Sequence, residues 1–325
     1  MISSFVRKQR ALVALVGVLA LMLAGCGGNV STGTQGTATP ATVGNQGLLR
    51  PGSFQWGNDS TGGMPYIVPK DDNNKNGDYY GFEVDIANQI AKLMNVQSAP
   101  TQITWSDWPQ GLAAQQFDVF MNGLEMTDEN AKSAKFTIPY TVYTQSIVVK
   151  KDNTSINSFD DLAGKTVETG TAYKAQFIME DYNAAHPDKK INIQTNDTPT
   201  PFDDLAAGRV DAMFIDTPIA QWYGANDFDK RFKVVGGNLN PGYYGIAVSP
   251  TNPNADVLLK ELNQAIEILY KNGTLQKIYQ DGGAYNGPNS FVKYNMWNDS
   301  QKCIANFFPD NPTNVAGCPP LPKAS

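Results

Sequence analysis

Glu125 stands in the run Gly123 to Tyr140, GLEMTDENAKSAKFTIPY, directly after the apolar alternation of Phe117, Val119 and Met121. A carboxylate at the end of a buried strand must reach water or meet a partner, because an unpaired charge in an apolar interior is costly. Thr127 reads as a helix N-cap whose hydroxyl accepts from the free N–H three residues on, and Asp128 and Glu129 suit the positive end of the helix dipole. That capping accounts for the turn and leaves Glu125 in need of a partner from elsewhere in the chain. Asp216, which closes AMFID, poses the same choice between a helix cap before Thr217 and Pro218 and a contact to a cation. A histidine-based zinc site or triad would depend on His186, the single histidine, and its surroundings NAAHPDKK read as a surface loop.

A metal reading has one motif to rest on. Asp72 to Glu83, DNNKNGDYYGFE, fits a calcium loop with Asp72, Asn74, Asn76 and Glu83 as oxygen ligands. Only two of those four carry charge, and Asn76-Gly77 is the favoured two-residue turn of a β-hairpin, which is the reading adopted. No metal and no cofactor is therefore expected.

Composition narrows the class. The chain has 325 residues, is 41% hydrophobic and carries a formal net charge of -6, so it can bury one or two ordinary cores. It contains no basic block of the kind that nucleic acid requires. At the N-terminus Arg7, Lys8 and Arg10 precede ALVALVGVLALMLAG, an apolar run too short to span a bilayer comfortably, which marks residues 1–25 as a signal peptide. Its end, Leu23-Ala24-Gly25-Cys26, resembles the bacterial lipobox, in which the cysteine is acylated and heads the mature chain. Several acyl chains, at about 0.8 kcal/mol per CH₂, would anchor the protein stably. Residues 26–47 are rich in Gly, Ser, Thr, Ala, Asn and Gln and read as a flexible tether. Cys303 and Cys318 lie in a Pro- and Asn-rich end of an exported chain, where they are expected to pair without a catalytic role.

The elements that must position Glu125 and Asp216 follow from periodicity. A β-like Gly81–Asp85 leads into the helical VDIANQIAKLM, then ITW, the helical DWPQGLAAQQ and the strand FDVFMNG. A second set runs through QSIVVKK, SINSFDDLAG, the strand KTVETG, helices from Tyr173 and Phe202, and the strand DAMFID. This alternation predicts an α/β fold with largely parallel sheets in two lobes. GYYGIAVSP and an amphipathic helix over Asn254–Asn272 close the pattern, and a return of this part to the first lobe is possible on pattern alone.

GFEVDIANQIAKLM, FDVFMNGLEMTDENAKSAKFTIPY, FDDLAGKTVETGTAY, LAAGRVDAMFID and LNQAIEILYKNGTLQKIYQ, in that order between about Leu48 and Gly283, resemble the bacterial extracellular solute-binding proteins of family 3, receptors of polar amino-acid ABC importers. The resemblance implies a two-lobed periplasmic-binding-protein-like fold of type II with a cleft between the lobes. Lobe one would comprise residues 48–143 and 237–283, lobe two residues 144–236, with crossovers near Tyr143–Ser146 and Val235–Gly242. Residues 284–325 would form a C-terminal extension.

By the same resemblance, Gly170, Thr171 and Ala172 in the ETGTAY turn would offer backbone donors to an anion, and Asp216 would take a ligand ammonium. Tyr66 and Trp105 would wall the cleft, and Asn122 and Gly123 would line its lobe-one lip. Asp59 falls where members that take basic side chains often carry an acid. The departure is Asn130, which stands where the family has the Arg that clamps a ligand carboxylate. Removing one partner of such a pair costs about 3 to 5 kcal/mol. Asp59, Glu125 and Asp216 without that Arg point to a cation as ligand.

The expected function is that of an exported, monomeric substrate-binding lipoprotein. It would be tethered to the outer face of the cytoplasmic membrane, or periplasmic, and would serve an ABC permease by closing on an amino acid or cationic amine, with Lys174 nearest to any carboxylate. The alternatives are a related cleft enzyme such as a cyclohexadienyl dehydratase, with Glu125 as general base, and a ligand-sensing lipoprotein.

Overall fold

A computed structural model describes residues 42–61, 65–71, 77–196, 202–225, 230–281, 299–310 and 315–319. The leader, Cys26, the tether as far as residue 41, and Asp72, Asn74 and Asn76 lie outside the described residues.

Lobe one begins with β1 (Ser53–Asn58), the short hairpin of β2 (Val68–Pro69) and β3 (Tyr79–Tyr80), α1 (Phe82–Leu93), β4 (Gln97–Gln102), α2 (Trp108–Ala113), β5 (Val119–Phe120) and β6 (Lys135–Phe136). The helix α1 starts at Phe82, where a strand was expected over Gly81–Asp85. Gly81 at φ 140° brings the backbone against Tyr66 O too closely for any Cβ, so the chain turns there and the apolar spacing Phe82, Ile86, Ala87, Ile90 is read as one helical face.

The chain then enters lobe two through β7 (Thr141–Lys150), followed by β8 (Thr166–Gly170), α3 (Lys174–Ala185), β9 (Asn192–Asn196), α4 (Asp203–Ala207), β10 (Ala212–Asp216) and α5 (Thr217–Ala225). It leaves by β11 (Phe232–Tyr244) and rejoins lobe one with β12 (Ala247–Val248), α6 (Ala255–Lys271) and α7 (Thr274–Asp281). The return to lobe one is explicit, since β12 pairs with both β5 and β6.

The two sheets have the orders β4-β1-β5-β12-β6 and β11-β7-β10-β8-β9. Both are mixed rather than largely parallel. β4, β1 and β5 run parallel, as do β9, β8 and β10, whereas β12, β7 and β11 pair antiparallel to their neighbours. The antiparallel members are the crossing strands and the strand that follows them, and they pair with each other over their length, from Phe232↔Lys150 to Tyr244↔Thr141. Each expected crossover therefore lies inside a long hydrogen-bonded strand.

The C-terminal part braces these strands. β10 pairs with β7 only as far as Gln145. Beyond that point the Val142 N–H and C=O are taken by the side-chain amide of Gln301, at 3.0 and 2.8 Å. Cys303 and Cys318 form a disulfide with a Cα–Cα distance of 5.5 Å, and Cys303, Ile304 and Phe308 pack with Val142 and Tyr243. Closing a 15-residue separation removes chain entropy from the unfolded state. The paired substitution C303S/C318S is expected to cost about 3 kcal/mol, read by urea melts with and without reductant. Equal midpoints for the two proteins would show that the bridge contributes nothing.

Candidate functional site

The lobe-one lip is set by hydrogen bonds that begin in α1. Glu83, fully buried in the first turn of α1, accepts from the Gly123 N–H at 2.8 Å and from the Tyr140 hydroxyl. Gly123 has φ 64°, and a Cβ there would stand 2.7 Å from the Tyr66 ring, so this turn and this aromatic contact both require glycine. The next residues are laid along the end of β11. Glu125 bridges Tyr244, and the Met126 N–H donates to Tyr243 O at 2.8 Å. Thr127 Oγ1 accepts from the Asn130 N–H at 3.1 Å, which is the cap expected of it.

The lobe-two side is the start of α3 and the end of β10. Gly170 admits the Tyr173 ring against its backbone, where a Cβ would meet that ring at 2.5 Å. Thr171 is half-buried in the same turn, and Ala172 is exposed at φ 60° with its N–H on Gln176 Oε1 at 2.7 Å. Asp216 accepts from Gln145 Nε2 at 2.6 Å and from the Tyr244 hydroxyl, whose oxygen lies 2.8 Å from the Tyr66 hydroxyl.

Three contacts join the lobes around these residues. Glu125 Oε1 accepts from the Lys174 N–H at 3.0 Å, Tyr244 reaches Asp216, and the Trp105 and Tyr173 rings meet edge-on at 5.2 Å. Tyr143 stacks on Tyr244 at 4.3 Å and closes the aromatic side. The result is a buried pair of carboxylates, Glu125 at 2% and Asp216 at 3% exposure, walled by tyrosines.

Burial, and then the charge of Asp216, pushes the Glu125 carboxyl up to about 8, against smaller downward pulls from the Lys174 N–H and ammonium. Burial pushes Asp216 up to about 6, with the Tyr244 and Gln145 hydrogen bonds opposing it. Glu83 rises to about 7 for the same first reason. Tyr66, Tyr143 and Tyr244 are all driven well above the ordinary phenol range by burial and by these acids, so they stay neutral. Near neutral pH the acid pair thus favours holding a proton over carrying two charges.

Three expected site residues are used differently. Asp59 is saturated within lobe one, since Oδ1 takes the Thr61 N–H, the Thr61 hydroxyl and Gln102 Nε2, and Oδ2 takes the Trp105 N–H at 2.8 Å. With Asn122, whose Oδ1 takes the Asp59 N–H at 2.9 Å, it organises the loop that carries Trp105. Asn130 Nδ2 donates to the Glu125 carbonyl at 2.8 Å, so its amide braces the turn. Glu83 faces inward to Gly123 and Tyr140 and is no calcium-loop ligand, and among the described residues no group of three or more His, Cys, Asp or Glu could hold a metal. Sequence reasoning missed Tyr244, Tyr143, Gln145 and Tyr173. The doubled aromatic in GYYG was the available signal for Tyr244, whereas Gln145 inside an apolar strand gave none.

Solved structures share this arrangement. An ancestral arginine-binding protein bound to arginine superimposes with a TM-score of 0.62 at 32% identity, over 70% of this chain and 96% of that one. An ancestral amino acid-binding protein described as a precursor of cyclohexadienyl dehydratase gives a TM-score of 0.61 at 29% identity, over 70% of this chain and 94% of that one. In sequence, the probable amino-acid-binding protein YxeM of Bacillus subtilis is 33% identical over 63% of this chain and 76% of its own. The L-cystine-binding protein TcyJ of Escherichia coli is 31% identical over 66% of this chain and 76% of its own. The family model of the bacterial extracellular solute-binding proteins, family 3, matches residues 63–281, and the chain belongs to that family.

Proposed function

We propose that this protein captures an amino-acid-like, cationic solute between its lobes and hands it to an ABC permease. The observation that carries the reading is the buried Glu125 and Asp216 pair between the lobes, neither of which forms a salt bridge among the described residues. A desolvated pair of acids is costly until a cation or a proton joins it, and a ligand ammonium or guanidinium can do so with charge-assisted hydrogen bonds. Tyr66, Trp105, Asn122 and Gly123 on one lobe and Gly170, Thr171 and Ala172 on the other would frame the solute, and closure of the lobes would bury it. The relatives named for binding arginine and cystine support a solute of this size. The protein is read as a monomeric receptor rather than an enzyme, exported and held at the membrane through an acylated Cys26, or periplasmic. Among the described residues no helix is long and apolar enough to cross a membrane.

A thermal-shift screen of L-amino acids, polyamines and guanidino compounds tests this. A cationic solute at a hundredfold excess over Kd is expected to stabilise the protein by about 2.7 kcal/mol. Tight binding of a neutral or acidic amino acid with no response to cations would sink the cation preference, and turnover of prephenate or arogenate would sink the receptor reading.

A further inference from the structure

The first backbone donors of α3 are filled by the protein itself. The Ala172 N–H goes to Gln176 Oε1 at 2.7 Å, the Tyr173 N–H to Gly170 O at 3.2 Å and the Lys174 N–H to Glu125 Oε1 at 3.0 Å. Two of these partners are local. The third comes from the other lobe and sets a carboxylate on the positive end of a 12-residue helix. Its second oxygen, Glu125 Oε2, is buried without a hydrogen-bond partner. A carboxylate that caps a helix with one oxygen and leaves the other unmatched is ready to accept an N–H from a cation.

The groups that face it decide what that cation can carry. They are the Lys174 ammonium from α3, the Asp216 carboxylate from β10, and the Tyr143 and Tyr244 hydroxyls from β7 and β11. A solute carboxylate brought here would be a third acid in a desolvated space, and the helix donor suited to it is already occupied. Asn130 offers it no relief, because its amide is held by the Glu125 carbonyl.

We propose that Glu125 is the resident carboxylate of this cleft, filling the helix terminus that an amino-acid solute's own carboxylate would use, so that the protein selects amines and guanidines with no carboxylate beside the bound nitrogen. This selectivity rests on the solute-binding reading above. Glu125 Oε1 stays on α3, Oε2 takes the solute cation, and Asp216 supplies the second acceptor.

Calorimetry on matched pairs, agmatine with arginine and cadaverine with lysine, tests it on the wild-type protein, E125S and E125Q. The wild type is expected to bind each decarboxylated partner at least tenfold more tightly. E125S frees the Lys174 N–H and removes a charge, and should narrow or reverse that ratio by gaining arginine. E125Q keeps an acceptor for Lys174 and loses the charge, and should lose agmatine without gaining arginine. Wild-type protein that binds arginine as tightly as agmatine, or E125Q that keeps wild-type affinity for agmatine, overturns the selectivity while leaving a solute receptor in place. Wild-type protein that binds none of these and no other amino acid overturns both.

Discussion

Replacing Glu125 by Gln is expected to stabilise the protein by roughly 2 to 4 kcal/mol at pH 9 and to leave it nearly unchanged at pH 4. Glu125 has a folded-state value of about 8 against an ordinary 4.5. An acid whose folded value is raised contributes stability that is fully present below its unfolded value and is lost as pH rises through the folded one. For Glu125 that window runs from about 4.5 to about 8. Gln keeps an oxygen for the Lys174 N–H, so the difference between the two proteins isolates the charge. Urea melts of wild type and E125Q at pH 4, 7 and 9 read it directly. A wild-type advantage at pH 9 would mean that Glu125 is a paired, stabilising carboxylate. Asp216, raised to about 6, and Glu83, raised to about 7, are expected to bend the wild-type curve the same way at lower pH, and they cancel in the comparison.

The second large effect is on binding. Asp216→Asn is isosteric, and the Tyr244 hydroxyl can turn to suit the amide because it already shares a hydrogen bond with Tyr66. The fold should therefore survive. Affinity for a cationic solute is expected to fall by about a hundred- to several-thousand-fold, the equivalent of the 3 to 5 kcal/mol lost when one partner of a buried ionic contact is removed. The same substitution removes the charge that helps raise Glu125, so the Glu125 titration should move down. Asp216→Asn with unchanged affinity and an unmoved Glu125 would place the cation elsewhere.

Much of this was legible in the chain. The strand AMFID, buried at every position, and the 3.6-residue spacing of Leu258, Leu262, Ala265, Ile266 and Leu269 needed no tertiary information. The Thr127 cap was local and came out as read. What failed was long-range. Asp59 looked like a free acid because its acceptors are used by Gln102 and Trp105, residues more than forty positions away, and no pattern in WGNDST announces them. Glu83 matched a calcium loop by spacing, yet Gly123 and Tyr140 draw it inward. The site itself was half visible. Glu125 and Asp216 stood out as acids closing apolar strands, but that Glu125 lies on the first N–H of α3 depends on how the lobes meet, which one-dimensional spacing does not encode.

The central claim is that a solute cation replaces a proton on the buried acid pair. Titration calorimetry of the wild-type protein with agmatine at pH 7, repeated in two buffers of unlike ionisation enthalpy, reads proton release on binding. Agmatine is charged throughout, so any proton released comes from the protein. The pair should release up to about one proton, and E125Q should release much less. Agmatine that binds the wild type with no proton release, or with uptake, would contradict a cation on Glu125 and Asp216.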